Sequence, residues 1–260
     1  MDCWGRRIKC EPIPDGNEST KAALADRRDR AMQPRFLGQF GIADLVTAAN
    51  AAIGFIAVAV AMTDPSAAAR LILLAAIADG LDGVIARFRG GTPVGPYLDS
   101  LADVASFGVA PAILVYGIVT DGGAAGMETP ISIAAIGVSA VYVSVAVIRL
   151  AFYMLHDSDR AETEGVQTTL AATVIAVTYL AGVGDPAVIV GLAALFTVLM
   201  IAPITYPDLH ARDAIILGGL QTLAVAFPAA LSRVFPRVLL GFAVAYLLFA
   251  PFIYWRDPGE

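Results

Sequence analysis

Eight apolar stretches, near residues 43–63, 67–87, 97–120, 130–155, 168–183, 187–205, 213–232 and 236–254, each approach the roughly 20 residues that a helix needs to cross a bilayer. With 58% hydrophobic residues and a mean hydropathy of +0.73, the chain has too little polar surface for a conventional soluble domain. Pro65, Pro130, Pro186, Pro207 and Pro236 punctuate the connections, and no internal repeat is visible. The expected fold is all-α: a polytopic integral membrane protein of about eight transmembrane helices.

The first 38 residues are different. They hold eight of the 17 basic side chains, and no apolar core follows Arg6 and Arg7, so no signal peptide is expected. Residues 1–42 read as a cytoplasmic tail whose segment from Lys21 to Phe40 lies along the membrane surface as an interfacial helix, with residues 43–260 as the membrane domain. Cys3 and Cys10 read as free thiols, His156 and His210 as solvated, Trp4 as a tail residue and Trp255 as part of an interfacial aromatic belt. Arg87, Arg89, Arg160, Arg212 and Arg256 fall on the tail's side of the bilayer, while Arg70, Arg233 and Arg237 fall on the other. This predicts a multi-pass protein of the cell membrane, with membrane lipids and no nucleic acid among its partners. The 15 Arg against 2 Lys, with acidic loops, resemble proteins of salt-loving archaea or of a high-GC bacterium.

Inside this apolar pattern, Asp79, Asp82, Asp99 and Asp103 are out of place. Insertion scales charge about 2.5–3.5 kcal/mol for an aspartate at the centre of a spanning helix, so several such residues call for compensation. On a helix Asp79, Asp82, Gly83, Ala86 and Arg87 share one stripe, and Gly95, Asp99 and Asp103 make a second. Between them the breaker run from Gly90 to Pro96 turns the chain back, so that the stripes face each other at one membrane surface. One or two divalent cations are the simplest compensation; oxygen-only ligands favour magnesium, manganese or calcium, and no Cys or His is near enough in sequence to make a zinc site.

The order Asp79-x2-Asp82-Gly83-x2-Ala86-Arg87, then Gly95-x3-Asp99-x3-Asp103, resembles the CDP-alcohol phosphatidyltransferases, membrane enzymes that join a CDP-activated lipid to a small alcohol and release CMP. Seven residues separate Arg87 from Gly95 where that family has eight, which places a deletion in the Gly/Pro loop. The resemblance implies that Asp79, Asp82, Asp99 and Asp103 bind two ions of Mg2+ or Mn2+, with Asp103 also the general base. It further implies nucleotide or lipid-phosphate contacts for Gly83, Ala86, Arg87 and Gly95. Asp44, Thr47 and Asn50 recur at every third residue of the first span, and family members place a comparable Thr and Asn near the nucleotide; Thr47 and Asn50 are therefore secondary candidates.

Leu98 to Ala112, with its LDSLAD and SFGVAPA runs, is similar to the phosphatidylserine synthase branch, and the likeness extends over about residues 40–210. Arg149-Leu150-Ala151 matches the start of that branch's RLAR element, Phe152 standing for its second arginine, and Gln167 stands where the branch has proline. Arg149 is the single basic residue of the fourth span, suited to a serine carboxylate. The resemblance thus implies transfer to L-serine from a CDP-activated lipid, by a homodimer facing the cytoplasm. Two alternatives stay open: the same chemistry on glycerol 3-phosphate or an inositol phosphate, and a divalent-cation transporter.

Overall fold

Asp44 starts the first helix, α1 (Ile42–Val60), by accepting the N–H of Gly41 at 2.7 Å. The computed structural model describes residues 40–121, 128–156, 162–207 and 211–253. The expectations for the tail, Cys3, Cys10, Trp4, Arg160, His210, Trp255 and Arg256 lie outside these residues, as do the side chains of His156 and Arg212. After a short turn, Asp64 caps α2 (Pro65–Arg89) through the N–H of Ala67 at 2.9 Å, and Pro65 occupies the first turn, where a missing N–H breaks no helical bond. Gly90, at φ +86°, ends α2 in a conformation that favours glycine.

The chain then returns as α3 (Gly95–Asp103), a π-helical turn (Val104–Val109) and α4 (Ala110–Val119), continuous with one another. This composite helix runs parallel to α1, as three contacts show in order: Thr92 just before α3 meets Asp44, Ser106 meets Asn50 and Gly54, and Gly117 meets Ala61. A Cβ on Gly54 would stand 2.8 Å from Ser106 Cα, and one on Gly117 2.5 Å from the Ala61 carbonyl oxygen. Only glycine permits those approaches. Lipid tails are as apolar as leucine, so close packing of this kind is what holds helices together in a bilayer. The fully buried Ala57, Ala61, Ala68, Ala69 and Ala75 extend the same tight contact between α1 and α2.

Next come α5 (Pro130–His156), α6 (Thr168–Leu180), α7 (Pro186–Leu199), α8 (Ala211–Ala226) and α9 (Ala230–Ile253). Helix α6 is buried nearly all round: it packs against α2, α4, α7, α9 and the π turn, with Ala172, Ala176 and Val177 in one apolar cluster and Ala171, Val174 and Ile175 in another. Such a helix belongs at the centre of a bundle.

The protein is mostly helical, and among the described residues four helical segments are long and apolar enough to cross a membrane: Ile42–Val60, Gly95–Val119, Pro130–Leu155 and Ala230–Pro251. Phe55, Leu101, Ile133, Val141 and Phe249 are exposed along them, as lipid-facing side chains are. The other predicted spans are also helices but differ in character. Helix α2 has the length and carries Arg70, Asp79, Asp82, Arg87 and Arg89; α6, α7 and the apolar part of α8 are 10–17 residues long. They stop early for local reasons, α6 before Gly182 at φ +102° and α8 before Pro228. The predicted break before Pro236 instead falls at Leu231–Arg233, three residues at positive φ.

One short strand pair joins the helices. Strands β1 (Glu162–Glu164) and β2 (Thr205–Pro207) pair antiparallel, Thr163 opposite Tyr206. Gly165 extends the contact through N–H to the Ile204 carbonyl at 2.8 Å, and at φ +74° it lies so close to Met200 that a Cβ would collide with the Met200 carbonyl. Three-residue strands carry no periodicity for a sequence reading to detect.

Candidate active site

Helices α2 and α3, joined by five residues, bring their acidic stripes face to face. Asp79, Asp99 and Asp103 each offer a carboxylate oxygen within 4.8 Å of the others. Unscreened carboxylates at such range repel by about 4 kcal/mol per pair at an effective dielectric constant near 20, so the arrangement needs a cation or shared protons. One oxygen on Asp99 and one on Asp103, both Oδ1, are buried without a hydrogen-bond partner among the described residues. Orphaned hard oxygens facing other carboxylates fit a hard divalent cation.

Asp82 is set apart from this triplet. Its Oδ2 accepts a 2.6 Å hydrogen bond from the Thr47 hydroxyl, which also donates to the Ala43 carbonyl at 3.1 Å. Asp82 still lies within electrostatic reach of Asp79, Asp99 and Asp103. Thr47 therefore touches the acidic group through Asp82. Asn50, on the same stripe of α1, is fully buried, and neither polar atom of its side chain has a hydrogen-bond partner among the described residues. Its carbonyl accepts the Ser106 hydroxyl at 2.9 Å.

Gly83 is exposed, and a Cβ added there meets nothing within 4 Å, so tight helix packing is not its reason for being glycine. Ala86 is half-buried one turn on, and Arg87 is exposed with no hydrogen-bond or ion-pair partner among the described residues. Gly95 has a steric reason: its Cβ would stand 3.3 Å from Asp44 Oδ1 and 3.5 Å from Thr92 Oγ1.

Directly after Asp103 the helix widens into the π turn. Two hydrogen bonds clamp it, Ser106 to α1 and the Tyr142 hydroxyl to the Phe107 carbonyl at 3.1 Å. π turns often sit at functional sites, and here the SFG run of the sequence is the clamp itself. The contacts Ser139 to Ala112, Tyr142 to Phe107 and Ala146 to Gly108 give the register of α5, and Arg149 follows two turns after Tyr142, toward the end of the composite helix that carries Asp103. Arg149 is buried and lines a cavity of about 400 Å³ with Tyr153, Thr163, Glu164 and Met200. Phe152 lines the same cavity. Thr163 and Glu164, supplied by β1, escaped the sequence reading because the strand pairing that presents them joins segments some forty residues apart.

The CDP-alcohol phosphatidyltransferase family model matches residues 40–204. Among curated relatives, archaetidylserine synthase of Methanothermobacter thermautotrophicus is 31% identical over 175 residues, 66% of this chain and 71% of the relative. The CDP-diacylglycerol–serine O-phosphatidyltransferase of Helicobacter pylori is 33% identical over 150 residues, 53% of this chain and 59% of the relative. That of Mycobacterium leprae is 55% identical over a 53-residue stretch covering 20% of this chain and 18% of the relative. With facing acidic stripes and these matches in agreement, the chain belongs to the CDP-alcohol phosphatidyltransferase family.

Proposed function

We propose that this protein transfers a phosphatidyl or archaetidyl group from a CDP-activated lipid to L-serine and releases CMP. The observation that carries the reading is the convergence of Asp79, Asp99 and Asp103 from two helices, with buried oxygens that no described protein group satisfies. Asp79, Asp82, Asp99 and Asp103 hold the metal, for which Mg2+ or Mn2+, as two ions, suits an all-oxygen donor set. Bound there, the ions supply charge neutralisation for the pyrophosphate. Thr47 fixes the carboxylate of Asp82. Asp103 takes the proton of the serine hydroxyl at Oδ1, the oxygen left without a partner. The serine oxygen then bonds to the β-phosphorus as the bond from that phosphorus to the bridging oxygen breaks, and the electron pair leaves with CMP. Gly83 gives the nucleotide open backbone, Ala86 leaves it room, Arg87 reaches a phosphate, and the Asn50 amide meets a polar group of the CDP-lipid, whereas Gly95 makes room for the Asp44 and Thr92 side chains.

The acceptor reading rests on the serine named in the relatives' descriptions and on the cavity beside Arg149. Arg149 takes the serine carboxylate and Glu164 its ammonium group. A phosphate dianion, as in glycerol 3-phosphate, would meet the Glu164 carboxylate instead. In the cell membrane, we place eight crossings, with α6 enclosed by the other helices and the acidic end facing the cytoplasm. The small residues Gly137, Ala140 and Ser144 on the exposed face of α5 are the surface we assign to a homodimer.

Membranes containing the protein, supplied with CDP-diacylglycerol or CDP-archaeol, labelled serine and Mn2+, are expected to release CMP only when serine is present. Release that follows glycerol 3-phosphate or inositol phosphate would overturn the acceptor, and Mn2+ flux without CMP would overturn the chemistry.

A further inference from the structure

The five-residue loop between α2 and α3 carries the register of half the acidic site, since α3 has only nine residues, with Asp99 in its second turn and Asp103 at its end. The Thr92 hydroxyl lies 3.0 Å and 2.9 Å from the two carboxylate oxygens of Asp44, and it accepts the N–H of Gly95, the first residue of α3, at 3.0 Å. Asp44 is 2% exposed, and its Oδ2 also accepts the N–H of Gly41. One buried carboxylate thus ties the start of α1 to the start of α3. Glycines flank it on both sides: a Cβ on Gly95 would stand 3.3 Å from Asp44 Oδ1, and one on Gly41 3.2 Å from Thr92 Cγ2. Six residues along α1, the carbonyl of Asn50 holds Ser106, just beyond Asp103.

We infer that Asp44 is a positioning residue for the metal site, acting through Thr92 to set where Asp99 and Asp103 stand against Asp79. The argument is geometric. Helix α3 is tied to α1 at both ends, by Asp44 through Thr92 before Asp99 and by Asn50 through Ser106 after Asp103, while Thr47 between them holds Asp82 on α2. The polar stripe of α1 therefore acts as a ruler along which both ligand-bearing helices are set. The loop, one residue shorter than the family pattern, is pulled onto that ruler by the Thr92 hydroxyl. Outer partners of this kind typically change metal affinity by about 10–100-fold when removed.

The inference rests on the reading of Asp79, Asp99 and Asp103 as metal ligands. Its test is Mn2+ binding by the full chain in detergent, read from the electron paramagnetic resonance of free Mn2+ alongside the melting temperature. Thr92→Val, close to threonine in shape, is expected to weaken Mn2+ binding by about tenfold or more, as is Asp44→Ala, whereas Thr92→Ser, which keeps the hydroxyl, stays within about threefold of wild type. Wild-type affinity in a folded Thr92→Val protein overturns the inference alone, and so does a Thr92→Ser protein as weak as Thr92→Val. A wild-type protein that binds no Mn2+ overturns the metal reading and this inference with it.

Discussion

The two ends of the helix bundle handle charge in opposite ways. At one end Asp79, Asp99 and Asp103 crowd together, and buried oxygens on two of them have no hydrogen-bond partner among the described residues. At the other, Arg70 donates its Nε–H to the carbonyl of Val225, near the end of α8, at 2.8 Å, and Arg237 donates to that of Ala181, just past α6, at 3.3 Å. The last carbonyls of a helix lack intrahelical donors, so these arginines complete helices that have run out of N–H groups. A charge that finishes the backbone's own bonding is structural. A charge set whose geometry leaves oxygens unsatisfied is prepared for something the protein does not itself supply.

That contrast is tested most severely by Asp103→Asn, which keeps shape and removes the carboxylate proposed as the base. Serine-dependent CMP release is expected to fall by about 10²–10⁴-fold while the purified protein keeps its melting temperature; retained turnover would return Asp103 to the structural class. Arg149→Ala should act between the extremes, raising the KM for serine by about tenfold or more with the KM for CDP-lipid unchanged, since a charge-assisted hydrogen bond contributes about 1.5–3 kcal/mol. Serine kinetics equal to wild type would remove Arg149 from the site. The smallest effect belongs to the other end. Arg70→Ala forfeits one hydrogen bond worth about 1 kcal/mol and is expected to lower the melting temperature by about 2–4 °C with CMP release intact. A loss of catalysis without a loss of stability would erase the distinction between the two ends.

Not every part of this arrangement was equally visible in the chain. The stripe Asp79, Asp82, Gly83, Ala86, Arg87 and the stripe Gly95, Asp99, Asp103 follow from helical period, and the breakers from Gly90 to Pro96 announce the return between them. Helix period could not tell that Thr47 reaches Asp82 across 35 positions, so four equivalent aspartates on paper became a triplet and a fourth held from α1. Gly83 and Gly95 look alike in the motif; open space at one and the Asp44 carboxylate at the other separate their reasons for being glycine. Glu164 had no signal as a site residue, because its place beside Arg149 depends on a strand pairing too short to leave a pattern.

What the sequence determined by itself is whatever repeats along a single helix: the apolar runs that belong in a bilayer, the acidic stripes, and the break that folds one stripe back on the other. Which polar residues of α1 grip which acidic helix, where the helix widens after Asp103, and what lines the cavity beside Arg149 were decided only in three dimensions. Those contacts join residues tens of positions apart through single hydrogen bonds and glycine-sized gaps, and neither has a period that a linear reading can detect.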